Sequence, residues 1–294
     1  MNKVGIHALV WVGGWSEAES RKAIESSKAT GYDLIEIPAL DPSTIDVKQT
    51  RKILDETGLG AGCSLGLSLD TDISSADPAI VARGERLLFD ALAVTRDLGG
   101  EYLGGVIYGA LGRYTQPPSV QGRANCIGVL RKLAERAATS GITLGLEVVN
   151  RYENNMLNTA QQALALIDEI GADNVKVHLD SYHMNIEEAN FADPILECGE
   201  RLGYVHVGES HRGYPGTGTV NFPAFFSALA TLNYQGTITF ESFSSAVVAP
   251  GLSTTLAIWR NLWSDSMDLA HSARAFIDTG MSRARNARIA AQEA

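Results

Sequence analysis

Glu147, Asp180, His206 and Glu241 are the residues whose types and spacing point to chemistry in this sequence. Each closes a short run of alternating apolar side chains. Leu144 and Leu146 share one face of their run, and Glu147 lies on the other. Val175, Val177 and Leu179 oppose Asp180, Val205 and Val207 oppose His206, and Ile238 and Phe240 oppose Glu241. This is the two-residue period of a β-strand. Successive members lie 33, 26 and 35 residues apart, each close to one strand-plus-helix unit. The pattern predicts four adjacent parallel strands, each with a polar residue at its C-terminal end. Three carboxylates and one imidazole brought to one point repel unless a cation lies among them. An oxygen-rich set with a single nitrogen suits Mn²⁺ or Mg²⁺, with Co²⁺ an alternative, better than it suits a Cys/His-rich zinc site. One divalent ion per chain is therefore expected, with Mn²⁺ the first choice.

The elements that must place these residues follow from the rest of the pattern. Strand-like runs lie near Lys3–Ile6, Leu34–Ile37, Gly60–Leu65, Tyr102–Ile107, Ile142–Glu147, Val175–Asp180, Tyr204–Val207 and Thr237–Glu241. Amphipathic runs fill the gaps. Ile127, Leu130, Leu133, Ala134 and Ala137, for example, recur at the three- and four-residue spacing of one buried helix face. Pro78 suits a first helical turn, and Gly58, Gly141 and Gly171 stand where helices should stop. Eight such units predict a parallel sheet with right-handed crossovers, closed into a (β/α)₈ TIM barrel. A length of 294 residues fits one such domain. An open doubly wound sheet is the alternative, but no Gly-x-Gly-x-x-Gly follows the first strand. In a barrel, the four polar residues would point inward at the end where barrel active sites are built. The sequence reading places the barrel in residues 1–280. A helical run passes through Trp259 and Leu269 to Phe276, an interruption falls at Gly280, and a helical or frayed tail occupies 281–294, with Arg283, Arg285 and Arg288.

Composition narrows the function classes. The net charge is −10, against the basic face that nucleic-acid binding needs. No apolar run approaches the length of a membrane span. The N-terminal residues enter a strand-like run at once, without a leader-like apolar region, so the cytoplasm is the expected location. Cys63, Cys126 and Cys198 are widely separated and odd in number, which predicts buried free thiols.

Three segments carry a resemblance. They are Leu146-Glu147-Val148-Val149-Asn150-Arg151-Tyr152-Glu153, the run from Leu179-Asp180-Ser181-Tyr182-His183 to Glu188, and His206-Val207-Gly208-Glu209-Ser210-His211-Arg212. They resemble the ketose 3-epimerases, which act on sugars such as D-tagatose, D-allulose and L-ribulose, within the xylose-isomerase-like barrels. The resemblance extends from Asn2 to Arg260. It implies that Glu147, Asp180, His206 and Glu241 are metal ligands, with Glu147 and Glu241 also the acid/base pair. It implies that Glu153, His183 and Arg212 hold the O1–O3 end of a free ketose. The spacing agrees, since Glu153 and His183 follow their strand ends by six and three residues and fall on active-site loops. Leu111 stands where some family members carry Trp, and His7 where an aromatic residue is usual; both places resemble the wall facing C4 to C6 of the sugar. His7 taken alone reads almost as well as a hydrogen-bonded core histidine. The resemblance also implies a homodimer or homotetramer.

The implied reaction is epimerisation at C3. The C3 proton lies next to the C2 carbonyl, so a metal on O2 and O3 would stabilise the enediolate left by its removal. Two glutamates on separated strands suit chemistry on both faces of that carbon. Three rivals share parts of this pattern: an aldose–ketose isomerase, a metal-dependent DNA-repair nuclease and a non-catalytic sugar-binding module. The loops Gly208–Thr219 and Ser242–Gly251 lack a basic or glycine-rich phosphate cradle, which favours a free sugar over a sugar phosphate.

Overall fold

The computed structural model describes residues 2–293. Eight parallel strands close into a barrel in chain order. They are β1 (Val4–His7), β2 (Leu34–Pro38), β3 (Gly60–Leu67), β4 (Tyr102–Ala110), β5 (Thr143–Val148), β6 (Val175–Asp180), β7 (Leu202–Val207) and β8 (Thr237–Phe240). Pairing of β1 with β8, Val4 opposite Ile238, completes the ring. The helices are α1 (Glu17–Ala29), α2 (Val47–Thr57), α3 (Pro78–Asp97), α4 (Val120–Ala138), α5 (Ala160–Ile170), α6 (Ser181–Glu187), α7 (Ala192–Cys198), α8 (Phe222–Thr231), α9 (Pro250–Thr255) and α10 (Ser266–Glu293). No described helix is long and apolar enough to cross a membrane.

The local signals act as predicted. Pro78 occupies the first turn of α3 behind an Asp77 cap, and Gly58 and Gly171 end α2 and α5 in the left-handed conformation. Leu144, Leu146, Val177, Leu179, Val205, Val207, Ile238 and Phe240 are all buried in the main core between sheet and helices. The three cysteines are free and buried. β3 and β4 each run beyond the predicted ends, so Leu111 follows directly on β4.

The interior of the barrel is polar. Below the strand ends, Tyr102 and Tyr204 stack with ring centres 3.8 Å apart. The Tyr102 hydroxyl lies 2.8 Å from His178 Nδ1, and that of Tyr204 lies 2.6 Å from Thr239 Oγ1. Gly104 and Gly145 make room for this layer, since a Cβ at either would fall within 2.1 Å of the Tyr102 hydroxyl. The aromatic plug fills the lower barrel and gives the site above it a rigid floor.

The C-terminal region departs from the sequence reading. Trp259 is exposed and lies in the irregular segment before α10, which begins only at Ser266. Gly280 does not interrupt the helix: α10 runs through it from Ser266 to Glu293. The reason is close packing of α10 on α8. A Cβ at Gly280 would lie 2.4 Å from the ring of Phe226, which is buried against Phe222 and Phe276. The glycine serves a helix crossing, and its helix-breaking tendency of about 1 kcal/mol is outweighed. Gly280→Val should therefore destabilise the fold by about 1–3 kcal/mol through overpacking. Gly128→Ala on the exposed face of α4, with open space around it, should leave the melting temperature unchanged or raised. Thermal melts of the two variants compare these outcomes, and equal melting temperatures would refute the packing role.

Candidate active site

The barrel brings the four predicted strand-end residues to one point. Glu147 and Asp180 lie within β5 and β6, and His206 within β7. Glu241 lies one residue beyond β8, pinned by its amide, which donates to the Val207 carbonyl at 3.1 Å. All four are buried. One ligand atom from each lies within 4.8 Å of the others. His206 Nδ1 is the focus: it stands 3.5 Å from Glu147 Oε1, 3.6 Å from Asp180 Oδ2 and 3.5 Å from Glu241 Oε1. Yet Nδ1 is buried with no hydrogen-bond partner. An unpaired ring nitrogen facing three carboxylate oxygens is the donor set of a divalent-cation site, rich in oxygen with one imidazole.

Electrostatics follows from crowding these groups out of water. Burial pushes Glu241 up to about 8, although His206 and Arg212 oppose the shift. Burial also works against the charge of Glu147, but His178 and His206 hold it below the ordinary carboxylate range. Asp180 is held well below its ordinary value, burial being outweighed by His206 and Arg212. His206 is raised in turn, burial being outweighed chiefly by Glu36 and Glu241. Like charges this close separate the proton affinities of the group, and positive charge placed among them removes the conflict.

The loops supply donors around this centre. His183 Nδ1 accepts from the Asn150 amide at 3.1 Å, so the ring proton resides on Nε2. That nitrogen lies 4.0 Å from both Glu147 Oε1 and Glu153 Oε2. The Asn150 side chain donates to Glu153 Oε1 at 2.8 Å and fixes it at the rim. Arg212 Nη1 donates to Glu241 Oε2 at 2.6 Å, and its guanidinium lies 3.7 Å above the centre of the Tyr182 ring. Arg212 has φ +62, a conformation costly for a residue with a side chain, on the order of 1–3 kcal/mol. The surroundings fix it there. Its amide donates to the Glu209 carbonyl at 2.8 Å, and its own carbonyl accepts from Ser242 Oγ, which also accepts from Trp263 Nε1 at 2.8 Å. The buried Glu209 carboxylate accepts from the amides of Ser210 and Gly216, both at 2.8 Å, and of Val220 at 3.3 Å, which ties the whole β7 loop together.

A cavity of about 550 Å³, counted with its open mouth, rises from the cluster. His7, Glu147, Glu153, His183, His206, Arg212 and Glu241 line its polar side, and Leu9, Val106, Leu111, Phe243, Leu252 and Leu256 its apolar wall. Leu111 thus faces the cavity. His7 also borders it, but both its nitrogens face protein. Nδ1 accepts from the Leu9 amide at 3.2 Å, and Nε2 lies 3.3 Å from Ser64 Oγ. Burial lowers the pKa of His7 to about 4, so its ring is neutral. His7 therefore combines a place on the wall with the bonding of a core histidine.

The sequence reading missed Glu36 and His178. Both are fully buried in the barrel, Glu36 against His206 and His178 against Tyr102. The same alternation would have found them: Ile35 and Ile37 oppose Glu36, and Val177 and Leu179 oppose His178. Phe243 comes from the irregular segment after β8, and Leu252 and Leu256 from the short helix α9 and its C-terminal cap, where no long periodicity marks them.

Residues 24–271 match the family model described as xylose isomerase-like TIM barrel, which defines the class of fold and site. Within it, the chain is 56% identical over 273 residues to an L-ribulose 3-epimerase of a Methylomonas species, strain DH-1, covering 93% of this chain and 96% of that one. It is 50% identical to a ketose 3-epimerase of Arthrobacter globiformis, covering 94% and 95%. The crystal structure of D-allulose 3-epimerase from Methylomonas in complex with D-allulose superposes with a TM-score of 0.93 at 55% identity, covering 95% of this chain and 96% of that one. The chain belongs to the ketose 3-epimerase family of carbohydrate isomerases.

Proposed function

We propose that this chain interconverts free ketoses epimeric at C3, among them L-ribulose, D-tagatose and the pair D-fructose and D-allulose, with Glu147 and Glu241 as the proton-transferring residues. The observation that carries the reading is the convergence of these two buried carboxylates, from β5 and the end of β8, on one imidazole nitrogen at the base of an open cavity. Glu147, Asp180, His206 through Nδ1, and Glu241 would hold one divalent cation, Mn²⁺ by preference, with Co²⁺ or Mg²⁺ as alternatives. Such a cation, when bound, polarises the C2 carbonyl and stabilises the enediolate. Glu147 removes the C3 proton on one face, and Glu241 returns a proton on the other; the roles exchange in the reverse direction. His183 offers its Nε2 proton, and Arg212 its guanidinium, to the oxygen that gains charge. Glu153, held by Asn150, accepts from a sugar hydroxyl at the rim. Leu111 and His7 form the wall that selects among ketoses.

The direct test runs the reaction in D₂O and reads the product by NMR across a panel of ketopentoses and ketohexoses. Deuterium is expected at C3 of the inverted ketose; an aldose product, or label at C1 alone, would replace this reading with a C1–C2 isomerase. Glu147→Gln and Glu241→Gln, each checked for metal content, should lose about 10²–10⁴-fold in kcat. Leu111→Ala should reorder the panel by about 1–3 kcal/mol in kcat/KM while the label stays at C3.

The same reading includes self-association as a homodimer or homotetramer. Its support is the extension of α10 to Glu293, with Arg283, Arg285 and Arg288 along it and Ile289 exposed. Light scattering should give two or four times the chain mass of 31.4 kDa, and truncation after Gly280 should reduce it. A strict monomer at micromolar concentration contradicts the assembly.

A further inference from the structure

We propose that Glu36 is a positioning residue for the cation site: it fixes His206 in the tautomer that leaves Nδ1 unprotonated toward the three carboxylates. The inference rests on the metal-site reading above and concerns a residue on the far side of the sequence, 170 positions from its partner. Glu36 is fully buried in β2. Its Oε2 lies 2.9 Å from His206 Nε2, and its Oε1 has no hydrogen-bond partner. The nearest other imidazole, His7 Nε2, stands 3.8 Å away and faces Ser64 as well. The closest contact of Glu36 is therefore with a residue of the candidate cation site, with the Tyr204 hydroxyl as a further neighbour.

The chemistry of the two ring nitrogens gives that engagement its meaning. A neutral imidazole carries one proton. If the proton sat on Nδ1, it would point at Glu147, Asp180 and Glu241, satisfy one of them, and occupy the direction a cation needs. An ionised carboxylate on Nε2 accepts that proton instead, which leaves the Nδ1 lone pair aimed at the carboxylates and raises its basicity. The surroundings provide no substitute on that side. The other rings near His206 belong to His178, with centres 4.1 Å apart, Tyr204 at 5.7 Å and His7 at 6.3 Å; all three meet it edge to face. The Tyr204 hydroxyl is engaged by Thr239. Glu36 is thus placed to orient a ligand that it would never share with the ion.

Full-length protein stripped with chelator and titrated with Mn²⁺ alone tests this, with affinity read by the paramagnetic signal of free Mn²⁺. Glu36→Gln keeps the size and an acceptor oxygen but removes the charge; Glu36→Leu removes the acceptor. We expect Mn²⁺ affinity to fall about tenfold in the first and about 100-fold in the second, the scale for a group that orients a metal-bound histidine. Saturating Mn²⁺ should restore most of kcat, since Glu36 does not line the sugar cavity. A purely structural role would lower the melting temperature of metal-free protein and leave the affinity of the folded fraction unchanged. Should Glu36→Leu fail to fold, the near-isosteric Gln variant decides alone: folded protein that binds Mn²⁺ within twofold of wild type overturns the proposal. Wild-type chain that binds no Mn²⁺ would overturn the metal reading and this proposal together, whereas equal affinity in the variants overturns only the role of Glu36.

Discussion

Everything at the top of this barrel is organised by the repulsion among Glu147, Asp180 and Glu241. Their oxygens surround a single imidazole nitrogen at about the same distance, and all three residues are buried. Taking three like charges out of water is costly, and their mutual repulsion adds to that cost. The chain answers with donors: Arg212 against Glu241, and the Tyr182 amide on Asp180. Burial still leaves Glu241 elevated, with smaller contributions from Asp180 and Glu147. The remaining demand for positive charge is what suits the place to a divalent ion.

Such a site functions only if its members cannot move apart. The strands provide that rigidity at the level of the ligands, since Asp180 and His206 are register partners in neighbouring strands. The layer below provides it for the strands, through the stacked Tyr102 and Tyr204 and their bonds to His178 and Thr239. The loops are held separately. Glu209 gathers three amides of the β7 loop, and the Trp263–Ser242 pair reaches the Arg212 carbonyl from the segment after β8. Arg212 can therefore keep its unfavourable backbone conformation with its guanidinium over the Tyr182 ring. Strain at this position is consistent with a residue held for its function in place of its local preference.

What could be read from the sequence follows from which forces are periodic. The eight strands, their closure and the inward set of Glu147, Asp180, His206 and Glu241 all came from alternation, because burial on one face of a strand repeats every second residue. Glu36 and His178 obey the same rule. They passed unnoticed because each sits inside an apolar run in place of closing it, and their partners are 170 and 76 residues away. The end of the chain was misread for a related reason. Gly280 carries a local signal to stop, and only the ring of Phe226 on the neighbouring helix explains why the helix goes on. Arg212, His183 and Glu153 were placed through family resemblance, since loops that converge from three strands leave no period to count.

The proposed function depends on one divalent ion, required by the reaction, held by the cluster around His206 Nδ1. It is tested most directly by elemental analysis of gently purified protein, combined with activity on a free ketose before and after exhaustive chelation. One divalent ion per chain is expected, with loss of epimerisation when the ion is removed, recovery on adding one equivalent of Mn²⁺, and a higher melting temperature for the loaded form. Full epimerisation by protein shown to carry no metal, in excess chelator, would contradict it.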